Sequence, residues 1–572
     1  MPTQPKELLQ AWRRRLRAIP ALRSARLARL GHEARHGGHT DWAVLLAADR
    51  TRWQEAVARA RGPKVLLATN VGLHFGASRI DSLLAVALTL RGARVSHLLC
   101  DEALPACMAA DQSWYTDLEQ FSRQGSQNDL CRHCFHPAEA ALAPLGLPLH
   151  RLSDHLSKED RASVAAWAAL ADLAGIVNLE ADGIAVGEQA RSGALRFFAR
   201  GTLEQGNASV VRAYLRAARL VQLSARRLLA ENSPDVAVLH HGIYVPQGTM
   251  AAVARQAAVR VATWNPAYRK RCFIFSHEDT YHRSMMSEPV ATWEGLVLTA
   301  AQQDVLTRYL ESRWTGAEDW ISFSRKPAFD FDAFAATRGI DPKKPTIALL
   351  TNVFWDAQLH YPANAFASMR DWLAETVRYF RERPDLQLVI RVHPAEVTGN
   401  LPARETVIDI LAADIGALPA NVFVIGPAEK ISTYALAERC CAAIIYATKA
   451  GIELLTMGIP VIAAGEAWIR GKGMAVEAAN EAEYYNILDR LPETGLDMTV
   501  ATDRARRYAY HFFYRRMIPL GMTVAESGWP PYRVDVASIA SLAPGVDRGL
   551  DVICDGILKG TPFIYPAERI PM

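Results

Sequence analysis

Two stretches of this 572-residue chain combine residue types that could do chemistry. In LQLVIRVHPAE, residues 386–396, an apolar run ends in Arg391, His393 and Pro394, which have no packing role in a buried strand. In YATKAGIELLTMGIPVI a second apolar run ends at Thr448, and Lys449, Gly451 and Glu453 open a helical pattern. The free N–H groups at a helix start favour an anion. Thr448 would add a hydroxyl to it, Arg391 and Lys449 positive charge, and His393 a ring N–H, while Gly451 has no side chain to hold a phosphate away. Glu453, one turn in, could accept from a ribose. Singly these signals are ordinary: a second His-Pro stands at His136 and Pro137, and a Thr before a helix is usually an N-cap. Together, at the ends of strands in successive crossover units, they predict a nucleotide-phosphate site. Pro394 would fix the chain as it leaves the strand, and His393 would donate to the phosphate as negative charge grows on it.

Such residues need a sheet to carry them. Strand patterns at 64–71 and 93–100 flank a loop with Gly72 and Gly76 and a helical period over 78–91, a βαβ unit. Helices are expected at 158–173 and 209–231, then a strand in PDVAVLHHG, a helix from 249, and a strand in VRVATWN. The chain turns at an Asp-Pro near 341, and alternation resumes. Strands at 346–353, 386–392, 422–425, 442–446 and 460–463 are interleaved with helices at 363–382, 431–439 and 450–457. Strands separated by helices imply parallel sheets. The expected fold is α/β, two Rossmann-like doubly wound domains facing one cleft, with ligands beyond the strand ends. The expected divisions are a basic amphipathic segment at 1–45, an N-terminal acceptor domain at 46–340, a C-terminal nucleotide-sugar-binding domain at 341–522 and a wrap-back segment at 523–572.

Composition bounds the class. The chain is 50% hydrophobic and 22% charged, ordinary for a globular protein, and carries no apolar run of the roughly 18 residues that a membrane span needs. The eight cysteines make no secreted disulfide framework, and the N-terminus lacks the apolar core of a signal peptide, so a cytoplasmic location is expected. Residues 1–40 hold nine Lys or Arg and two acids, a net +7, which leaves −3 for the rest of a chain whose total is +4. Leu8, Leu9, Trp12, Leu16 and Ile19 recur at helical spacing opposite arginines. That pattern suits either a helix docked on its own protein or peripheral contact of residues 1–35 with an anionic membrane.

The stretches RVHP, NVFVIGP with ISTYALAE, and TKAGIELLTMGIPVIAAGEAWIRGKG resemble bacterial capsule polysaccharide biosynthesis proteins, most clearly over 346–473. The Kdo-transferring members of that family have the GT-B glycosyltransferase fold. The resemblance implies a GT-B glycosyltransferase that takes a nucleotide-sugar donor, such as an acidic sugar on CMP, and a glycan or glycolipid acceptor, with no nucleic acid as partner. In that family and in bacterial sialyltransferases a His-Pro motif contacts the donor phosphate, the role His393 would inherit, and an acidic donor would suit Arg391 and Lys449. No cofactor is expected, and no metal, since the sequence has no convincing Asp-x-Asp cluster. Many retaining GT-B enzymes carry two glutamates eight positions apart. Glu453 matches the second, but Ile445 stands at the first, which argues against that subgroup. The rivals are a sugar-nucleotide epimerase of the same form and a noncatalytic nucleotide-binding scaffold.

The general base is open among several residues. Asp182 in EADG stands where sialyltransferases have an acidic pair, though Ala181 separates it from Glu180; His241 in HHGIYVPQG follows a first-half strand, as does His240, and Glu278 could share that rim. CRHCFHP supplies Cys131, Cys134 and His136, or His133, which with Cys107 would make a metal site only if all converged.

Overall fold

The computed structural model describes residues 20–323, 327–359, 361 and 363–569. The helical pattern expected over residues 8–19 lies outside the described residues. A helix at Pro20–His36 follows, docked on the first half: Arg23 donates to the Trp114 carbonyl at 2.9 Å and pairs with Asp129 at 2.5 Å, and the Arg26 guanidinium lies 3.9 Å from the Trp114 ring.

Apolar runs of strand length build two sheets. The first begins with β1 (Lys64–Asn70), β2 (Arg94–Leu99), β3 (Leu149–Arg151), β4 (Val236–His240), β5 (Arg260–Pro266) and β6 (Cys272–His277). The second holds β7 (Thr346–Leu350), β8 (Gln387–Arg391), β9 (Val422–Ile425), β10 (Ala442–Ile445), β11 (Val461–Ala463) and β12 (Val476–Glu477). A short β13 (Ile518–Pro519) returns to the first sheet, whose order is β13-β6-β5-β4-β1-β2-β3, against β12-β11-β10-β7-β8-β9 in the second. β1 to β5 pair in parallel, β6 and β13 join antiparallel, and the second sheet is parallel throughout. This is the expected α/β fold, two Rossmann-like sheets with one cleft between them.

Alternation along each strand sends its side chains into two cores. In the first sheet Leu66, Leu98 and Leu239 meet the helices Val186–Phe198 and Ala208–Asn232, while Val65, Leu67 and Val238 meet Phe75–Leu90. In the second, Ile347, Leu349 and Ile390 meet Met369–Arg381, while Ala348, Val389 and Ile445 meet Ala450–Thr456. Burial of both faces explains why these strands read as continuous apolar runs.

Several expected bounds shift. The strand expected at 346–353 stops at Leu350, and the helix expected from 363 starts at Met369, where Ser368 caps it by accepting from Asp371 N–H. The helix expected at 431–439 contracts to Thr433–Ala437. The helices Ala300–Thr315 and Phe331–Arg338 precede the division expected at 340, yet Leu306, Tyr309, Phe331 and Ala335 sit in the core of the second sheet. β13 precedes the division expected at 522 yet belongs to the first sheet. Periodicity marks where an element starts, not which sheet it covers.

From β13 to about Phe563 the chain covers the first half, and Ala567 then joins the core of the second sheet. The helix Arg548–Lys559 inserts Leu550, Ile553 and Ile557 among Val65, Leu67 and Val238. We expect Ile553→Ala, which removes a fully buried side chain, to cost about 2–5 kcal/mol in denaturant unfolding. Ile408→Ala, at a position 47% exposed, should stay within roughly 0.5 kcal/mol. Equal effects of the two would contradict the packing of this segment.

Candidate active site in the cleft between the two sheets

In a doubly wound sheet the crevice opens where neighbouring strands send their connections in opposite directions. That point lies between β4 and β1 in the first sheet and between β10 and β7 in the second. The chain ends leaving these strands meet around a cavity of about 340 Å³. The first half lines it with His241, Tyr268, Tyr281 and His282. The second half adds residues 351–353 and 356–358 after β7, His393 after β8, residues 447–450 after β10 and Trp468 after β11.

His393 is held as a donor. Its Nδ1 accepts from the Ala395 N–H at 3.1 Å, and its backbone N–H donates to the Thr351 hydroxyl at 3.1 Å. A neutral imidazole whose Nδ1 accepts must carry its proton on Nε2. The ring is neutral at physiological pH because burial, then Lys449 and Arg391, lower its pKa to about 4. The turn that Pro394 begins, through the short helix Ala395–Thr398, supplies the Ala395 N–H that selects this tautomer.

The cations expected around an anion are engaged with protein. Arg391 donates to the Gly426 carbonyl at 2.8 Å and the Glu429 carbonyl at 3.2 Å. Lys449 pairs with Glu453 at 3.1 Å and lies 4.5 Å from the Tyr268 ring. Glu453 is 3% exposed and also takes Arg313 at 3.2 Å and the Tyr434 hydroxyl. Burial alone would raise its pKa, but Arg313, Lys449 and the Tyr434 donor hold it at about 2. Glu453 therefore anchors the cleft floor and does not face a ribose, because its oxygens already hold buried cations. Gly451 likewise faces protein rather than a phosphate. A Cβ there would lie 2.8 Å from Ile445 Cδ1 and 2.9 Å from Ile469 Cδ1, so the missing side chain serves packing against β10. Thr448 lines the cavity and caps the Ala450 N–H at 3.4 Å.

The candidate bases separate. His241 faces the cavity, stacked on Tyr244 with centroids 5.6 Å apart, its pKa lowered to about 4 by burial and then Arg196. Asp182 does not reach the cleft. It pairs with Arg219 at 2.6 Å and Arg226 at 2.8 Å, which hold it below the usual carboxylate range, beside an open depression at the N-terminal ends of β1, β2, β4 and β5. His240 is buried beneath the cavity against His74 and Trp264. Glu278 turns back to accept from the Val261 N–H at 3.3 Å. Neither is among the residues that line the cavity.

Burial raises the thiol pKa of Cys100, Cys131 and Cys134, and these three and Cys107 lie near enough to raise it further, but His136 does not join them. Cys134 accepts from the Leu73 N–H, Cys131 meets the Ser126 hydroxyl, and His136 lies at the surface 3.6 Å from Glu139. Among the described residues no group of three or more His, Cys, Asp or Glu is placed to hold a metal ion.

Asp356 escaped the sequence reading. It follows β7, projects into the cavity, and accepts from the Tyr244 hydroxyl at 2.9 Å. The residue is exposed to the open cleft; crowding by the cleft walls raises its pKa, against the Tyr244 hydroxyl, Arg196 and the Ala357 N–H, which favour the ionised form. The signal was available: FWDAQ continues directly from an expected strand, where a site residue belongs. Asn352 lines the same wall with its Oδ1 buried and unpartnered.

Residues 326–500 match the family model of the capsule polysaccharide biosynthesis protein family, a span that contains the resemblance at 346–473. A comparison with curated proteins gives no match. Among solved structures, "Thermosulfurimonas dismutans KpsC, beta Kdo 2,4 transferase" is 15% identical over 50% of this chain and 83% of its own, with a TM-score of 0.32. The beta Kdo 2,7 transferase of the same organism's KpsC is 11% identical over 56% of this chain and 88% of its own, at 0.30. The S. aureus MnaA–UDP structure is 10% identical over 79% of this chain and 96% of its own, at 0.27.

The buried imidazoles set an acid limit on stability. His74, His97, His241 and His393 fall to about 4 and His282 to about 3, in each case chiefly through burial. Between pH 6.5 and 4 the unfolded chain binds more protons at these positions than the folded one, so stability falls with acidification. Asp81 and Glu396, raised to about 7 by burial, act oppositely but are fewer. Thermal melts at constant ionic strength should show a falling Tm from pH 6.5 towards 4; a flat or rising Tm there would contradict these buried neutral rings.

Proposed function

We propose that this chain is a glycosyltransferase that moves a sugar from a nucleotide-sugar donor onto a glycan or glycolipid acceptor, with the donor phosphate beside His393 and Thr448. The observation that carries this reading is the enforced tautomer of His393. With Nδ1 occupied, Nε2–H is left to donate into the cavity. A neutral donor gains most as charge collects on the departing phosphate, so its contribution falls mainly in the transition state. In this reading the leaving group is stabilised without a metal ion, and Thr448 contributes its hydroxyl from the end of β10. The unpartnered Oδ1 of Asn352 is available to a donor hydroxyl or base on the same wall.

An acidic sugar such as Kdo on CMP remains the donor to test first, on the strength of the family resemblance. Lys449 adds little to that choice, because Glu453 holds its charge, whereas Arg391 lines the cavity bonded only to two backbone carbonyls among the described residues, and its uncompensated charge suits an anionic donor. A nucleotide panel in thermal shift identifies the base: ligand at about 100 times its Kd adds roughly 2.7 kcal/mol to stability. His393→Ala should lower turnover about 10²–10³-fold, with unchanged Tm and nucleotide affinity changed far less. Full turnover in that variant would overturn the role. Product formed without any acceptor would instead support the sugar-nucleotide epimerase reading.

Peripheral contact with an anionic membrane is part of the proposal. Arg29 and Arg35 lie on the exposed side of the helix that docks through Arg23 and Arg26. Removal of residues 1–19 should weaken binding to anionic vesicles and leave nucleotide binding intact, and raised salt should mimic the deletion. Equal vesicle binding by both forms would exclude it.

A further inference from the structure

We propose that Asp356 is the base that takes the proton from the attacking acceptor hydroxyl, and that Tyr244, from the opposite half of the molecule, is the residue that positions it. This assignment rests on the transfer reading and adds the group that reading lacks.

Four observations carry it. Asp356 and His393 line one cavity, from neighbouring strands β7 and β8, so one carboxylate and one phosphate donor share a chamber. The hydroxyl of Tyr244 has its direction settled: it accepts from the Ala357 N–H at 2.9 Å and therefore spends its proton on Asp356 Oδ1 at 2.9 Å. With Oδ1 oriented in this way, Oδ2 is left to the cavity. Tyr244 is itself rigid, 3% exposed, stacked on His241, with Arg196 5.8 Å from its ring centroid. Its backbone adopts φ +66°, a left-handed conformation that is strained for tyrosine and persists only when the surroundings impose it.

The alternatives in the same space are less suited. His241 is neutral but weakly basic, with Nδ1 buried and unpartnered. Asp319 lines the cavity but is paired with Arg313 and accepts from the Tyr309 hydroxyl at 2.8 Å. Glu453 lies beneath the floor. Asp356 alone among these carboxylates has no cation bound to it in an ion pair and faces the space where an acceptor would lie.

The step balances without a further reactant. The acceptor O–H proton passes to Asp356 Oδ2, the acceptor oxygen bonds to the anomeric carbon, and the bond from that carbon to the phosphate oxygen breaks. Its electron pair leaves on the phosphate, which His393 Nε2–H stabilises. Tyr244 stands at the switch point of the first sheet and Asp356 at that of the second, so the base is oriented only when the halves are together.

The test measures transfer to acceptor and, separately, nucleotide affinity by calorimetry. Asp356→Asn should lose about 10²–10⁴-fold in turnover with nucleotide affinity within threefold of the parent and Tm maintained. Tyr244→Phe removes a hydrogen bond to the ionised carboxylate. Its acid limb of turnover against pH should move to higher pH, a shift that a purely structural role would not produce. Asp356→Asn within fivefold of parental turnover, an affinity loss equal to the turnover loss, or an unmoved acid limb in Tyr244→Phe would each overturn the assignment. Parental transfer together with an active Asp356→Asn sinks the base alone; parental product formed without acceptor sinks the transfer reading and the base with it.

Discussion

The Glu453 carboxylate, buried among Arg313, Lys449 and the Tyr434 hydroxyl, is the interaction on which the shape of the cleft depends. It joins three pieces of chain remote in sequence: the helix Ala300–Thr315, the start of Ala450–Thr456, and Thr433–Ala437. Arg313 also pairs with Asp319, which accepts from Tyr309, so the charges form a closed set. Removing one partner from such a buried set leaves an uncompensated charge, typically at a cost of about 3–5 kcal/mol. The same constraint explains why the floor of the cleft contains cations yet offers few of them to a ligand.

Above this floor, the two halves are joined by hydrogen bonds that leave little slack. Glu405 accepts from the N–H groups of Gly201 at 2.8 Å and Thr202 at 3.1 Å and from the Thr202 hydroxyl, while Arg404 N–H donates to the Ala199 carbonyl. Tyr244, Asp356 and Ala357 close the inner side, and Leu195, Ala199, Trp355 and Ala403 pack beside them. The walls of the cavity are strand-end loops on rigid sheets, an arrangement that combines variable chemistry with fixed position. His393 illustrates it: the strand places the ring, and one backbone N–H selects its tautomer.

The chain also spends most of its last part on the first half rather than on the second, where sequence order would leave it. β13 and the helix Arg548–Lys559 complete a sheet that began near residue 64, and they cover apolar side chains of β1 and β4 that would otherwise meet water. Burial of that face, rather than proximity in sequence, decides where this segment lies.

The alternation of apolar runs and helical periods was enough to establish two sheets built on parallel strands, because strand and helix periodicities are local properties of a few residues; the antiparallel edge of β6 and β13 in the first sheet was not legible in it. The ends of β8 and β10 were legible for the same reason, and with them His393 and Thr448, which do line the cleft, whereas the end of β7 fell three residues short of its expected place. Residue type alone misjudged Lys449, Gly451 and Glu453. Whether a charge is free or paired, and whether a missing side chain makes room for a ligand or for Ile445, is settled by neighbours brought in by folding. Asp182 had the right chemistry in a place that two arginines of a distant helix claimed. Asp356 and Tyr244 are 112 positions apart, and no local pattern in either segment encodes their hydrogen bond. Only the packing of one sheet's strand ends against the other's creates it, because a contact between distant segments is fixed by the burial and hydrogen-bond satisfaction of the whole chain.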